Sequence, residues 1–262
     1  METATLQPLH IDVGQFGVAG QHLPAIRSAL ARGLPEFAPG LVSHDGVMVI
    51  AGSGPSLPAF IEEIRAEREQ GRPILAVNGA HDLLCEHGLP PDLFLTVDPR
   101  DIRHNLRQKN EQTVYLLASR VAPEVFEHLR EHRVILWHSA GHPLEMPAFE
   151  GVSARKIGGG STSGLRAIAV SYLMGFRNFV LYGMDSCNDA NGRKRFDSGV
   201  STVTTDVVID GRTFICSMAM AAQANEFQMC TYGLMPDVHI EVKGDGLLAA
   251  IVAGRKKRGF RV

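Results

Sequence analysis

From Val47 onward, short apolar runs alternate with longer segments in which apolar side chains return at helical spacing. The runs at 47–51, 74–78, 93–97, 114–118, 134–137 and 179–182 are short and apolar enough to be strands buried on both faces. Between them, Leu57, Phe60, Ile61 and Ile64 recur with the period of a helix, as do Val125, Phe126 and Leu129. The same period returns in Leu165, Ile168, Ala169, Tyr172 and Leu173. The alternation predicts an α/β domain over 46–254: a Rossmann-like, mostly parallel sheet with helices on both faces.

The flanks break this pattern. Residues 1–45 carry one helical segment, 22–32, between stretches punctuated by Gly14, Gly17, Gly20, Gly33, Pro35, Pro39 and Gly40, and are read as an N-terminal extension. After Asp185 a polar loop, 188–197, is a candidate flap over a site, and leads into β-prone runs at 203–209 and 212–216. Asp210-Gly211 between those runs predicts a hairpin. A helix at 218–229, a strand at 238–242 and a helix at 247–253 follow, and residues 255–262 are read as a basic tail without a role.

Composition narrows the function. With 45% hydrophobic and 21% charged residues among 262, the chain can bury a large core. Its 26 Lys plus Arg against 28 Asp plus Glu give a net charge of -2, so nothing draws it onto nucleic acid or an anionic membrane. Cys85, Cys187, Cys216 and Cys230 are scattered, without zinc spacing, and read as reduced packed thiols. No run approaches a membrane span and no signal segment is evident, so the expected compartment is the cytoplasm.

In an open parallel sheet, ligands bind beyond the carboxyl ends of the strands. Two glycine-rich turns fall there. Gly52-Ser53-Gly54-Pro55-Ser56-Leu57 follows the first strand, and by itself reads equally well as a tight turn capped by Ser56. Gly158-Gly159-Gly160-Ser161-Thr162-Ser163-Gly164 precedes a helix and offers three hydroxyls where an N-cap needs one. Glycine lets backbone approach a ligand and helix-start N–H groups attract negative charge, so the pair predicts a phosphate site. Neither turn is a P-loop or a full dinucleotide fingerprint.

Further candidates are Asn78, Asp98, Asp185 and Arg166, the last in the first turn of the loop-led helix. Asp98, Asp185, His81, His138 and His239 are the possible bases, with Asp98 preferred, and Arg100 and Arg103 are possible phosphate partners.

The set Gly52-Ser53-Gly54-Pro55-Ser56-Leu57, Asn78-Gly79-Ala80, Pro91-Asp92-Leu93-Phe94-Leu95-Thr96-Val97-Asp98, Gly159-Gly160-Ser161-Thr162-Ser163-Gly164 and Leu181-Tyr182-Gly183-Met184-Asp185 resembles the MptE-like family, over about residues 45–190. That family includes the motility accessory factors implicated in flagellin glycosylation. The first turn and Thr162-Ser163-Gly164 are also similar to bacterial CMP-sialic-acid-dependent sialyltransferases.

This resemblance implies a transferase using a nucleotide or nucleotide-sugar donor and a separate acceptor. Gly52, Ser53, Gly54, Asn78, Ser161, Thr162, Ser163 and Gly164 would face the nucleotide, although the sialyltransferases favour Asn where Ser53 stands. Ser56, Gly159, Gly160 and Arg166 are further phosphate-side candidates, and Asp98 and Asp185 are the candidate catalytic carboxylates.

Archaeal members of the family resemble pyrophosphokinases that move diphosphate from ATP to 6-hydroxymethyl-dihydropterin, which implies Mg²⁺ held by Asp98 and Asp185. Here Ser161-Thr162-Ser163-Gly164 replaces their acidic, glycine-rich pattern, and no Asp-x-Asp ends a strand. The preferred expectation is therefore a glycosyltransferase without a metal. A nucleotide-binding module without turnover is the third reading. A homo-oligomer is compatible with exposed strand edges.

Overall fold

The computed structural model describes residues 22–40, 42–140, 143–260 and 262. Gly14, Gly17, Gly20 and Arg261 lie outside the described residues. In chain order the elements are α1 (Leu23–Leu30), β1 (His44–Ala51), α2 (Ile61–Glu69), β2 (Ile74–Val77), α3 (Ala80–Glu86), β3 (Leu93–Thr96), β4 (Val114–Ala118) and α4 (Pro123–His128). Then come β5 (Arg133–Ser139), β6 (Lys156–Ile157), α5 (Ser163–Leu173), β7 (Phe176–Tyr182), β8 (Thr205–Ile209), β9 (Arg212–Cys216), α6 (Met218–Gln228), β10 (His239–Val242) and α7 (Leu247–Lys257).

Eight strands form one sheet in the order β10-β7-β1-β2-β3-β4-β5-β6, and every pairing in it is parallel. From β1 the chain steps outward strand by strand to β6, then returns across the sheet through α5 and lays β7 on the other side of β1. The order therefore reverses between β1 and β7, which makes that junction the topological switch point of the α/β sheet.

The period of two along the strands divides the interior into two cores. Met48, Ile50, Leu75, Val77, Phe179 and Leu181 face one side, where α5, α6 and α7 pack. Val49, Ala51, Ile74, Ala76, Val180 and Tyr182 face the other, covered by Ile61 and Ile64 of α2 and Ala80 and Leu84 of α3. The two glycine turns thus approach the carboxyl edge from opposite faces: one feeds α2, the other feeds α5.

The hairpin β8–β9 forms as expected, because Asp210 (φ 47°) and Gly211 (φ 79°) both take the left-handed backbone of a type I′ turn. Two-residue β6 is too short to leave a pattern in the sequence. The basic run is not a tail at its start: Arg255, Lys256 and Lys257 form the last turn of α7, where cations suit the helix dipole. The Arg255 guanidinium stacks 3.7 Å above the Tyr232 ring, and Arg258 reaches Asp210 at 3.3 Å.

Within 22–40, α1 packs Ile26 against Ala148 and Phe149, and Phe37 N–H donates to the Leu136 carbonyl at 2.7 Å, part of a parallel bridge between Glu36 and the middle of β5. Among the described residues no helix is long and apolar enough to cross a membrane.

Candidate functional site

The first glycine turn is joined to the end of β7 backbone to backbone. Gly52 N–H donates to the Tyr182 carbonyl and Gly54 N–H to the Gly183 carbonyl, both at 2.8 Å. A Cβ on Gly52 would lie 2.6 Å from the Gly183 carbonyl oxygen, and one on Gly54 would collide with that carbonyl and the Asp185 carboxylate. Glycine is required here by close approach at the switch point. Ser53 Oγ donates to the Val77 carbonyl (3.1 Å) and accepts from Ala80 N–H (3.2 Å), tying the turn to α3. Ser56 does not cap: its side chain makes no capping bond to the 3₁₀ turn Leu57–Phe60, while its N–H donates to Asp185 Oδ2 at 3.1 Å.

Asp185 is buried, and burial pushes its carboxyl up from the usual range, partly offset by the bonds from Ser56. Gly246, at the start of α7, also packs on it, with the position of a Cβ there 2.8 Å from the Asp185 backbone. Ser186 follows with φ 50°, buried, its Oγ without a hydrogen-bond partner among the described residues, and both amide atoms of Asn188 share that condition.

The second turn folds back on its own helix. Gly159 (φ 113°) and Gly160 (φ 107°) take left-handed backbone, and a Cβ on either would strike Ala169 or Leu165. Its three hydroxyls are each engaged, with four partners between them. Ser161 donates its N–H and Oγ–H to Glu226 Oε2 at 2.9 and 2.6 Å. Thr162 is the N-cap, accepting from Leu165 N–H at 3.4 Å, and also accepts from Gln223 Nε2 at 3.3 Å. Ser163 Oγ accepts from Val97 N–H at 3.1 Å, fixing the helix start to the end of β3, while Gly164 packs against Met184 beyond β7. The loop therefore bridges the ends of β3 and β7 over the turns that follow β1 and β2.

Asn78, with φ 50°, lies between these turns and accepts from Thr96 Oγ1 at 2.9 Å. The polar loop after Asp185 also reaches this edge: Phe196 N–H donates to the Ser53 carbonyl at 3.4 Å, and its ring lies over Gly79. Beside it, Gly79, His104, Asn105, Arg107, Phe196 and Asp197 line a cleft of about 280 Å³.

Other candidates are committed elsewhere. Arg166 points its guanidinium away from the crevice mouth, donating to the carbonyls of Ile157 and, at 3.0 Å, Ala140; burial pushes it down to about 10. Asp98 is clasped by Arg100 through two side-chain bonds of 2.9 and 2.6 Å, and Arg103 pairs with Asp101 at 2.7 Å. His81 is buried between Asp82 (3.3 Å) and the Tyr115 hydroxyl (3.4 Å). His138 sits in β5 facing Glu36 at 3.5 Å, with burial pushing its pKa down, and His239 opens β10 at the end of the sheet opposite the crevice.

Asp98 and Asp185, the carboxylates implied for Mg²⁺ in the kinase reading, follow β3 and β7. β3 and β7 are separated by β1 and β2, so at about 4.8 Å per strand their ends stand roughly 14 Å apart. One Mg²⁺, with ligand oxygens at about 2.1 Å, cannot bridge that span. Among the described residues no three His, Cys, Asp or Glu side chains gather as a metal site.

The sequence predicts the helix at 218–229 but does not single out Glu226. The available signal was Gln223 and Glu226 three residues apart, on one helix face.

Three comparisons bear on this architecture. A solved structure, the MAf glycosyltransferase from Magnetospirillum magneticum AMB-1, superposes with a TM-score of 0.68 at 14% identity, covering 94% of this chain and 43% of that one. The likeness is one of fold, and this chain spans less than half of that protein's length. A protein of Treponema pallidum (strain Nichols), described as uncharacterized, is 41% identical over 56 residues, 21% of this chain and 26% of its own length. Finally, residues 30–191 match the family model described as 6-hydroxymethylpterin diphosphokinase MptE-like. That span is more than half of the chain and holds both glycine turns and the strand ends they join, and the chain belongs to this MptE-like family.

Proposed function

We propose that the chain is a nucleotide-binding transferase, with a nucleotide-activated sugar as donor, and that the donor's nucleotide lies in the crevice at the β1/β7 switch point. The observation that carries this reading is the convergence of three segments on that edge: 52–56, 183–186 and 161–164. The close backbone packing that the glycines allow and the N–H groups that open α5 suit a phosphate. Ser186 and Asn188 add buried polar atoms of the kind a ligand or water satisfies. The fold shared with the MAf glycosyltransferase supports sugar transfer by analogy.

In such a transfer the bond from the anomeric carbon to the nucleotide phosphate oxygen breaks. The acceptor hydroxyl oxygen bonds to that carbon and loses its proton. The departing phosphate gains charge, which fixed hydroxyl and N–H donors stabilise without a metal. Asp185 acts here as a positioning residue, holding Ser56 N–H and so the first turn. Asp98 takes the acceptor proton once Arg100 releases one of its oxygens.

A second reading, a Mg²⁺- and ATP-dependent diphosphokinase acting on 6-hydroxymethyl-dihydropterin, is favoured by the family's description. It needs a carboxylate arrangement other than a shared Asp98–Asp185 pair.

Thermal unfolding with CMP, UMP, GDP, ADP and ATP, in Mg²⁺ or in EDTA, separates the two. Ligand at about 100 times its Kd adds roughly 2.7 kcal/mol of stability. The expected result is stabilisation by a pyrimidine nucleotide that survives EDTA. Stabilisation by ATP only with Mg²⁺ supports the kinase, and no response to any nucleotide overturns both.

A further inference from the structure

The anion-binding end of the second loop is held by an anion of the protein's own. Glu226 Oε2 accepts from both the N–H and the hydroxyl of Ser161, and the 2.6 Å hydroxyl contact is in the range of a charge-assisted bond. Ser161 lies just ahead of α5, where the helix dipole favours negative charge. One turn earlier on the same face of α6, Gln223 holds the Thr162 hydroxyl, so α6 clamps the loop at two points.

The helix behind this clamp is fixed. Ser217 caps its start through Met220 N–H at 3.2 Å, Phe227 is fully buried, and the π-helical turn Met229–Gly233 that follows is pinned by Arg255 on Tyr232. The side chain of Glu226, half-buried near the surface, is the part free to exchange. The buried cation Arg166 donates to the backbone carbonyls of Ile157 and Ala140; burial pushes it down to about 10, and the Glu226 carboxylate is one of the smaller influences in the opposite direction. An anion at Ser161 therefore serves the loop and the start of α5, whether it belongs to Glu226 or to a ligand.

We propose that Glu226 is a specificity-determining residue of the donor site: its carboxylate occupies the Ser161 donors as an internal anion, and a ligand phosphate or carboxylate gains them only by displacing it. The proposal rests on the reading that the loop faces the donor. It makes the loop selective, because a ligand group must outcompete a tethered carboxylate, whereas a neutral group cannot.

The test is calorimetric titration of inorganic pyrophosphate and of CMP into wild type, Glu226→Ala and Glu226→Gln, with melting curves to establish folding. Removing the competing charge is expected to tighten pyrophosphate binding on the order of tenfold in Glu226→Ala, with Glu226→Gln between it and wild type. Adding Ser161→Ala to Glu226→Ala is expected to remove most of that gain. If wild type binds and the folded variants bind equally or more weakly, Glu226 is a scaffold residue and the proposal fails while the donor site stands. A gain undiminished in the double variant places the anion elsewhere and also overturns it. If folded wild type and variants bind neither probe, the donor-site reading itself fails.

Discussion

The two glycine turns meet the same edge of the sheet but are built for different tasks. In 52–56 the glycines allow backbone to touch backbone, and the turn is joined to Gly183, Asp185, Val77 and Ala80 by main-chain or fully engaged contacts. In 158–164 the glycines let the chain fold back on α5, and the outermost donors go to the side chain of Glu226. The first is a fixed joint at the switch point. The second ends in a contact that a ligand can replace. A glycine-rich motif in a sequence therefore does not announce which of these it is: that depends on whether its N–H groups meet main chain or an exchangeable side chain.

The comparison is broken most severely at Gly54. A Cβ there meets the Gly183 backbone and the Asp185 carboxylate, neither of which has room to yield. Gly54→Ala is expected to cost about 3 kcal/mol, read as a lower urea midpoint or failure to fold. Gly158→Ala is the counterpart in the second turn. Its Cβ meets nothing within 4 Å, and the change is expected to stay within about 0.5 kcal/mol. Equal losses at the two positions would remove the distinction between joint and adjustable loop.

Between these extremes lies the anchor beside the first turn. Asp82 is buried, which raises its pKa, but bonds from His81, from the backbone of Gln108 and from Arg107 prevail and hold it at about 2. An Asp is near 3.9 when unfolded, so its folded value is depressed. Its contribution, roughly 2 kcal/mol, is complete above about pH 4 and is lost as pH falls toward 2. Asp82→Asn is expected to lower stability at pH 7 by an amount of that order and to flatten the acid limb of the stability profile. Parallel acid limbs in wild type and variant would show that the anchor is not Asp82.

The fold was legible where strands are apolar runs, as in β1 to β5 and β7, and where helices carry an apolar stripe, as in α2, α4 and α5, and Asp210-Gly211 named its own turn; two-residue β6 and short α3 left no such pattern. The site was legible by position, since strand ends and helix starts are readable, but not by direction. Arg166 stands in the first turn of α5, as spacing indicates, yet α5 is buried almost all round and the guanidinium runs to the carbonyls at the β5–β6 edge. Asp98 follows a strand as a base should, but Arg100 two residues on takes its oxygens, a local pairing the sequence contains and strand logic ignores. Glu226 was missed because its partner is 65 residues away, brought near only when α6 packs on the same face as α5.

The central claim, that the β1/β7 switch point binds a nucleotide, is tested most directly by a structure of the protein with CMP in EDTA. The account predicts the phosphate within hydrogen-bond distance of N–H or hydroxyl groups in 52–56 or 161–164, on the edge joining β1, β3 and β7. A nucleotide seated instead in the neighbouring cleft against His104 and Arg107, or none bound at saturating concentration, would contradict it.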